Sequence, residues 1–218
     1  MKLISVNVGL PRRVNTQKGT VDTGIFKEPV SSPVMLRRLN LDGDQQADLT
    51  VHGGAEKAVY VYPSEHYAYW RRELPEMELP WGMFGENFTT EGLDEAETRI
   101  GDQFHVGSAL VMVTQPRMPC YKLALKFGHA DFPRQFLRSG RTGFYCSVLA
   151  EGRVAGGDAI ERTHRDEHGV SVADITRLYA NRGDDAELRT RALRVEALPQ
   201  NWKEYFRKHV PSGQQPIQ

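Results

Sequence analysis

The sequence predicts a mainly β protein with a few inserted helices, an α+β fold, followed by a small helical module. Short apolar runs recur through the first part of the chain, and Gly, Pro and Asp separate them. After about residue 170 the apolar spacing becomes helical instead. Many short strands separated by turns favour a barrel or a sandwich over a parallel α/β sheet.

The first part contains six predicted strands and three predicted helices. The strands are 2–8, 57–62, 103–106, 109–114, 142–150 and 157–163, and the turn Gly107-Ser108 makes a hairpin of the third and fourth. Helices are predicted over 65–74 after Ser64, over 120–127 after Pro119 and over 132–138 after Asp131. Each follows a residue type that favours a helix start.

The C-terminal part predicts three short helices. They are expected around 175–179 behind the capping pair Ser171 and Asp174, over 186–195 behind Asp184, and over 201–210. Three helices in so short a stretch form a small helical module. We therefore predict two domains, a β domain over 1–163 and a three-helix module over 170–210.

Composition excludes several classes of protein. Of 218 residues, 28 are Lys or Arg and 28 are Asp or Glu, so the basic excess of a dedicated nucleic-acid binder is absent. The longest apolar run, 109–113, is far shorter than the roughly 20 residues that span a bilayer. Asn7 and Gly9 interrupt the N-terminal apolar stretch, so we expect no secretory signal, no membrane partner and a cytoplasmic location.

Cys120 carries the most reactive predicted chemistry. It follows two closely spaced prolines, and the cations Arg117 and Lys122 flank it. A thiol at the start of a helix beside cations favours the thiolate, which is a nucleophile and a soft metal ligand. The alternative is a small buried apolar side chain, the role we expect for Cys146 in its apolar strand. Free thiols, rather than a disulfide, suit a reducing cytoplasm.

A glycine pair provides a second group of candidate residues. His52 and Lys57 flank Gly53-Gly54, where the absence of side chains lets the backbone approach an anion closely. The alternative is an ordinary turn before the next strand.

A third group lies between aromatic residues. Glu86 and Asn87 could hydrogen bond to the edge of a heterocycle, although a turn followed by a strand explains them equally well. Asp44 and Asp48 lack the pattern of a calcium loop, so capping and turn roles are expected for them.

Six short motifs occur in a fixed order over most of the chain. They are Gly43-Asp44-Gln45-Gln46-Ala47-Asp48-Leu49, His52-Gly53-Gly54 with Lys57-Ala58-Val59-Tyr60, Glu65-His66-Tyr67 with Trp70, Phe84-Gly85-Glu86-Asn87-Phe88, Ile100-Gly101-Asp102, and Gln115-Pro116-Arg117-Met118-Pro119-Cys120. In this order they resemble a MOSC domain, the domain shared with molybdenum-cofactor sulfurases, and within it the YiiM-like branch. The resemblance covers about 1–163, and the segment after residue 170 resembles the three-helix module of that branch.

The resemblance implies a closed, mostly antiparallel MOSC-type β-barrel with a pterin-type molybdenum cofactor (molybdopterin) in a cleft. The family's essential cysteine falls on Cys120, which ligates molybdenum in some relatives and is proposed to carry a sulfane sulfur in others. Members of the branch look like reductases of N-hydroxylated compounds, including base analogues such as hydroxylaminopurine. No flavin, haem or nicotinamide motif is visible, so we expect electrons to come from a partner flavoprotein.

The predicted site follows from the residues and the resemblance together. Cys120 is the expected metal ligand and catalytic residue, and His52 is expected to orient the cofactor or donate a proton. The groups that suit an anionic cofactor and a pterin edge are His52, Gly53, Gly54, Lys57, Glu86, Asn87, Arg117, Tyr121 and Lys122. One departure from the family pattern is Ser147, which stands where the resemblance leads us to expect Arg.

Two other functions remain open at this point. The chain could be a sulfur carrier that holds a persulfide on Cys120, since a persulfide needs the same exposed, acidic thiol. It could also be a non-catalytic cofactor-binding module whose helical tail docks a partner, and that tail allows a homodimer.

Overall fold

The structure, a computed structural model, describes residues 1–16, 19–47, 53–180 and 185–209. Within these residues it is a mixed α+β fold with one eight-stranded sheet, two two-stranded sheets and six α-helices. The predicted α+β class is therefore confirmed.

Twelve strands alternate with the helices of the first part. In chain order they are β1 (Lys2–Val8), β2 (Arg12–Thr16), β3 (Gly19–Thr23), β4 (Glu28–Val30), β5 (Val34–Leu36), β6 (Val59–Pro63), β7 (Phe88–Glu91), β8 (Gln103–Val106), β9 (Ala109–Pro116), β10 (Phe144–Ala150), β11 (Gly152–Val154) and β12 (Ile160–His164).

The large sheet has the strand order β12-β8-β9-β10-β6-β7-β1-β4. Among the described strands, β6 and β7 form its only parallel pair. Backbone hydrogen bonds also join β1 to the segment that leads into β12: Leu3 N donates to Asp158 O (2.9 Å) and Ile160 N to Met1 O (3.0 Å). These bonds bring the seventh strand of the order beside the first. The sheet is strongly curled as a result, while full closure into a barrel stays a prediction.

The helices are α1 (Glu65–Glu73), α2 (Tyr121–Phe127), α3 (Phe132–Arg138), α4 (Val172–Ala180), α5 (Ala186–Arg194) and α6 (Gln200–Lys208). A short 3-10 helix covers Ala55–Lys57. No helix in the described ranges is both long and apolar enough to cross a membrane.

The helix ends follow local chemistry. Ser171 and Asp174 form the predicted reciprocal cap, because Ser171 N donates to Asp174 Oδ2 (3.1 Å) and Asp174 N donates to Ser171 Oγ (3.1 Å). Helix α5 is capped by Asp185, whose Oδ1 accepts from Leu188 N at 2.9 Å. The sequence assigned that cap to Asp184, which lies outside the described residues. Sequence arguments thus place this helix correctly and miss its cap by one residue.

Most predicted elements have the observed bounds within about three residues. The hairpin of β8 and β9 is confirmed, but β9 extends to Pro116 and β6 begins at Val59 rather than at residue 57. The sequence analysis did not predict β2 to β5 or β11, and it gave β7 only as an alternative to a ligand site. β2, β3 and β4 are mostly exposed and lack the apolar alternation on which the prediction depends, and β5 and β11 have only three residues each.

Two apolar clusters hold the described chain together. The larger one joins the inner face of the sheet to the C-terminal helices, with Val113, Ile175 and Phe206 among its members. The smaller one is aromatic and lies around α1, α2 and α3, where the rings of Phe127 and Phe132 stack with centroids 3.8 Å apart. The candidate site lies where these two clusters meet the end of β9.

Candidate functional site

The site is built around the chain segment between β9 and α2. Proline lacks an N–H group, so Pro116 ends the strand ladder, and four residues then connect the sheet to α2. The backbone is held there by Arg117 N, which donates to Gly143 O at 3.1 Å. Cys120 is extended and directly precedes α2. The sequence predicted Cys120 inside the first helical turn, and this is corrected: the helix begins one residue later, at Tyr121.

A cavity of about 390 Å³ opens along this segment. Five of the predicted site residues line it: Lys57, Asn87, Arg117, Cys120 and Lys122. They come from three separate parts of the chain, so the fold brings together groups that the sequence keeps far apart. The cavity is mixed in character, with cations on one part of its wall and aromatic side chains on another.

Arg117 is the most unusual residue of the cavity wall. It is only 5% exposed, and its guanidinium lies over the rings of Tyr60 (5.3 Å) and Phe136 (5.2 Å). Its Nη1 is buried and has no hydrogen-bond partner in the described chain. Burial alone would lower the pKa of Arg117, but Tyr60, Tyr145 and Cys120 nearby raise it overall. A buried, charged guanidinium in the wall of a cavity is suited to bind an anion.

Lys122 and Lys57 add two cations to the same wall. Lys122 is 7% exposed, and no ion pair involving it occurs within the described part of the chain. Lys57 is half-buried, and desolvation lowers its pKa, against a smaller opposing effect of Glu56. Together with Arg117 they make this side of the cavity strongly cationic.

The two cysteines differ as the sequence predicts. Cys120 is partly exposed in the cavity, whereas Cys146 is buried in the core of β10, where desolvation raises the pKa of its thiol. They do not form a disulfide. Within the described ranges, no group of three or more His, Cys, Asp or Glu side chains is arranged to hold a metal ion.

A network of buried polar side chains holds part of the cavity wall in place. Asp44 accepts hydrogen bonds from Lys27 Nζ, from Gly9 N (2.9 Å) and from Asn87 Nδ2 (2.9 Å). Asn87 Oδ1 in turn accepts from Tyr60 N at 3.1 Å. These bonds use both ends of the Asn87 amide, so Asn87 lines the cavity but is held mainly by the protein. Burial lowers the pKa of Lys27, and the Asp44 carboxylate partly offsets this effect.

Glu86 lies outside the cavity wall. It is fully buried, and its carboxylate accepts from the Tyr67 hydroxyl, Gly82 N (2.8 Å), Phe84 N (3.0 Å) and the Thr89 hydroxyl (3.0 Å). Burial raises its pKa, and these hydrogen bonds oppose the rise. These hydrogen bonds indicate that Glu86 stabilises the turn before β7.

The other predicted residues lie beside the cavity or outside the described chain. Gly54 has φ 96°, a conformation that favours glycine, and begins the 3-10 helix that carries Lys57; Gly53 precedes it. Tyr121 is 57% exposed at the start of α2 and does not line the cavity. His52 lies outside the described residues, so its predicted catalytic role stays a prediction.

The wall residues that the sequence analysis missed include Lys27, Tyr60, Gln115, Tyr145 and Trp202. Tyr145 could have been found, since alternation along β10 places it opposite the buried Phe144 and Cys146. Trp202 could not, because an apolar helical pattern does not say what a side chain faces.

Comparisons with known proteins agree with this architecture. A family model described as "MOSC domain" matches residues 48–161, and one described as "YiiM-like, 3-alpha helix domain" matches residues 170–212. The chain is 43% identical to the uncharacterized protein YflK of Bacillus subtilis, over 94% of this chain and 93% of that one. It is 34% identical to a protein named "Reductase" from Gibberella moniliformis, over 75% of this chain but only 30% of that longer protein.

A solved structure has the same fold. The crystal structure of YiiM from Geobacillus stearothermophilus superposes with a TM-score of 0.80 at 34% identity, and the match covers 95% of this chain and 98% of that one.

Proposed function

The chain belongs to the MOSC family, in its YiiM-like branch, and we propose that it binds a pterin-type molybdenum cofactor at Cys120 and reduces N-hydroxylated compounds. The observation that carries this proposal is the buried Arg117, which lines the cavity beside Cys120 and whose Nη1 has no hydrogen-bond partner among the described residues. A donor in this position is costly unless an anion satisfies it. The phosphate of a pterin cofactor is such an anion.

The donor set fits this group. Arg117, Lys122 and Lys57 would hold the anionic part of the cofactor, and a thiolate at Cys120 would be a soft ligand for the metal. The rings of Tyr60 and Phe136 keep the guanidinium in place, so its orientation is fixed before binding. Hydrogen bonds to Asp44 hold Lys27 and Asn87, which also line the cavity.

The overall reaction consumes two electrons and two protons. The N–O bond of R–NHOH breaks, and the products are R–NH2 and water. When bound, the cofactor supplies the two electrons at its metal centre. The protein's part is to orient the N–OH group and to provide protons. Desolvation makes Lys57 Nζ a more ready proton donor than an exposed lysine, and His52 remains the second predicted donor.

The electron donor is proposed to be a separate flavoprotein. The fungal relative named "Reductase" is much longer than this chain, which matches 30% of it. We further propose that the domain 1–163 forms a closed barrel and that 170–210 forms a three-helix module. We also propose that the protein is cytoplasmic and forms a homodimer.

A reductase assay tests this function. Chain produced in a host that makes the cofactor is incubated with hydroxylaminopurine and reduced methyl viologen, and formation of the amine is followed by chromatography. We expect turnover by the wild type and by Cys146→Ala, and none by Cys120→Ser. Turnover by Cys120→Ser would contradict the proposal, while transfer of a persulfide sulfur from Cys120 would favour the sulfur carrier instead.

A further inference from the structure

One part of the cavity wall comes from the C-terminal helices rather than from the sheet. Asn201 and Trp202, at the start of α6, line the same cavity as Cys120. Trp202 is 6% exposed, so most of its side chain packs against protein and a small part borders the cavity. The helical module is therefore built into the site.

The indole of Trp202 is held in one orientation. Its Nε1–H donates to Gln115 Oε1 at 2.9 Å in a buried hydrogen bond. Its ring meets Tyr179 edge to face at 5.6 Å and Phe206 at 5.7 Å. Gln115 itself lines the cavity, five residues before Cys120. Since the indole donor is already satisfied, what Trp202 offers the cavity is a rigid aromatic surface.

The cavity wall combines two kinds of chemistry. Arg117 and Lys122 offer charge to an anion, whereas Trp202 and Met118 offer an apolar surface. A flat aromatic side chain attracts planar rings by stacking, and stacking is indifferent to the exact identity of the ring. A small compound without a ring gains nothing comparable from it.

Building on the proposed function, we propose that Trp202, oriented by Gln115, is the specificity-determining residue that binds the planar ring of the N-hydroxylated substrate. The helical module then selects substrates, while the sheet holds the cofactor. Gln115 acts as a positioning residue, because its amide oxygen fixes the indole.

The test compares two substrates in three variants. Trp202→Leu keeps an apolar side chain but removes the aromatic surface, Trp202→Phe keeps an aromatic ring, and Tyr205→Leu changes an aromatic residue of α6 that does not line the cavity. Kinetics are measured with hydroxylaminopurine, which is planar, and with N-methylhydroxylamine, which has no ring. Reduced methyl viologen supplies the electrons.

We expect Trp202→Leu to raise KM for hydroxylaminopurine by about 10-fold or more, a loss of about 1.4 kcal/mol, with kcat changed much less. KM for N-methylhydroxylamine should stay within about 3-fold. Trp202→Phe should recover most of the affinity for the planar substrate, and Tyr205→Leu should leave both KM values unchanged. An equal rise of both KM values in Trp202→Leu would overturn the proposal.

A binding measurement keeps this test separate from the proposed function. Adenine, the amine that corresponds to hydroxylaminopurine, is titrated into cofactor-free chain by calorimetry. Wild type and Trp202→Phe should bind it at least about 10-fold more tightly than Trp202→Leu. Equal affinity in all three overturns the role of Trp202, whereas absence of turnover by the loaded wild type overturns only the proposed function. Circular dichroism confirms that each variant is folded, and Trp202→Phe carries the comparison if Trp202→Leu is not.

Discussion

Replacing Arg117 with methionine separates the stability of the fold from the loading of the cofactor. In the folded chain the guanidinium gains two cation–π contacts, with Tyr60 and Phe136, worth together about 1–3 kcal/mol at buried sites. The buried Nη1 opposes this stabilisation, because a buried donor without a hydrogen-bond partner among the described residues destabilises the fold by about 1–3 kcal/mol. Methionine fills much of the same space and leaves no unpaired donor.

The two effects nearly cancel, so we expect the free energy of unfolding of cofactor-free Arg117→Met to lie within about 1 kcal/mol of wild type. In a chain of this size that is a change in Tm of roughly 2–4 °C. Binding of the cofactor should change much more than stability. Each charge-assisted hydrogen bond to an anion is worth about 1.5–3 kcal/mol, so losing one weakens binding by about 10- to 150-fold.

The assay combines urea unfolding of the cofactor-free chain with molybdenum content after expression in a host that makes the cofactor. Arg141→Met is the matched control, because Arg141 lies over the ring of Tyr69 (4.2 Å) but does not line the cavity. It should lose at most about 1 kcal/mol and keep its metal. If Arg117→Met retained wild-type metal, or if it lost more than about 3 kcal/mol of stability with loading unchanged, Arg117 would be a structural residue and the reasoning would fail.

Three further predictions concern residues around the site. Glu86→Gln replaces one carboxylate oxygen with an NH2 group, which cannot accept hydrogen bonds from the N–H donors that Glu86 binds. Urea unfolding should therefore show that the free energy of unfolding falls by about 1–3 kcal/mol. An unchanged free energy of unfolding would contradict the role of this hydrogen-bond network. Burial lowers the pKa of Lys126 to about 8, while the unfolded chain keeps that proton until about pH 10.4. The unfolded state therefore binds more protons between these values, and the free energy of unfolding should rise by up to about 1.4 kcal/mol per pH unit from pH 8 towards 10. Lys126→Met should lower this slope in urea titrations, while Lys27 and Lys57, whose pKa values burial also lowers, leave a smaller rise; an unchanged slope in the variant would refute the assignment. Cys146→Ala should cost about 1 kcal/mol in the same assay with no loss of metal, because it shortens a core side chain away from the cavity; a loss of metal would show that Cys146 also serves the site.

Local chemistry made much of the fold predictable. The bounds of β1 and α3 are those expected from the apolar pattern and from the residues at their ends, and Gly128 ends α2 with φ 64° as its position suggests. Helix starts were placed within one residue, because caps and prolines act over one turn, except for α4, which begins at Val172 rather than around residue 175. The exposed hairpin of β2 and β3 was not predictable in this way.

The site was predictable only in part, for a physical reason. Arg117, Cys120 and Lys122 are close in sequence, so their proximity follows from the local chain. Lys27 and Trp202 reach the same cavity through long-range packing, which no periodicity records. Glu86 shows the opposite case. Its polarity suggested a ligand, but the turn around it directs four donors at its carboxylate.

The central claim is that the Cys120 thiolate ligates molybdenum in this chain. The most direct test is the molybdenum content per chain, measured by plasma mass spectrometry on wild type, Cys120→Ser and Cys146→Ala after expression in a host that makes the cofactor. We predict near-stoichiometric metal in wild type and Cys146→Ala and a large loss in Cys120→Ser. Equal molybdenum in wild type and Cys120→Ser, or none in either, would contradict the account.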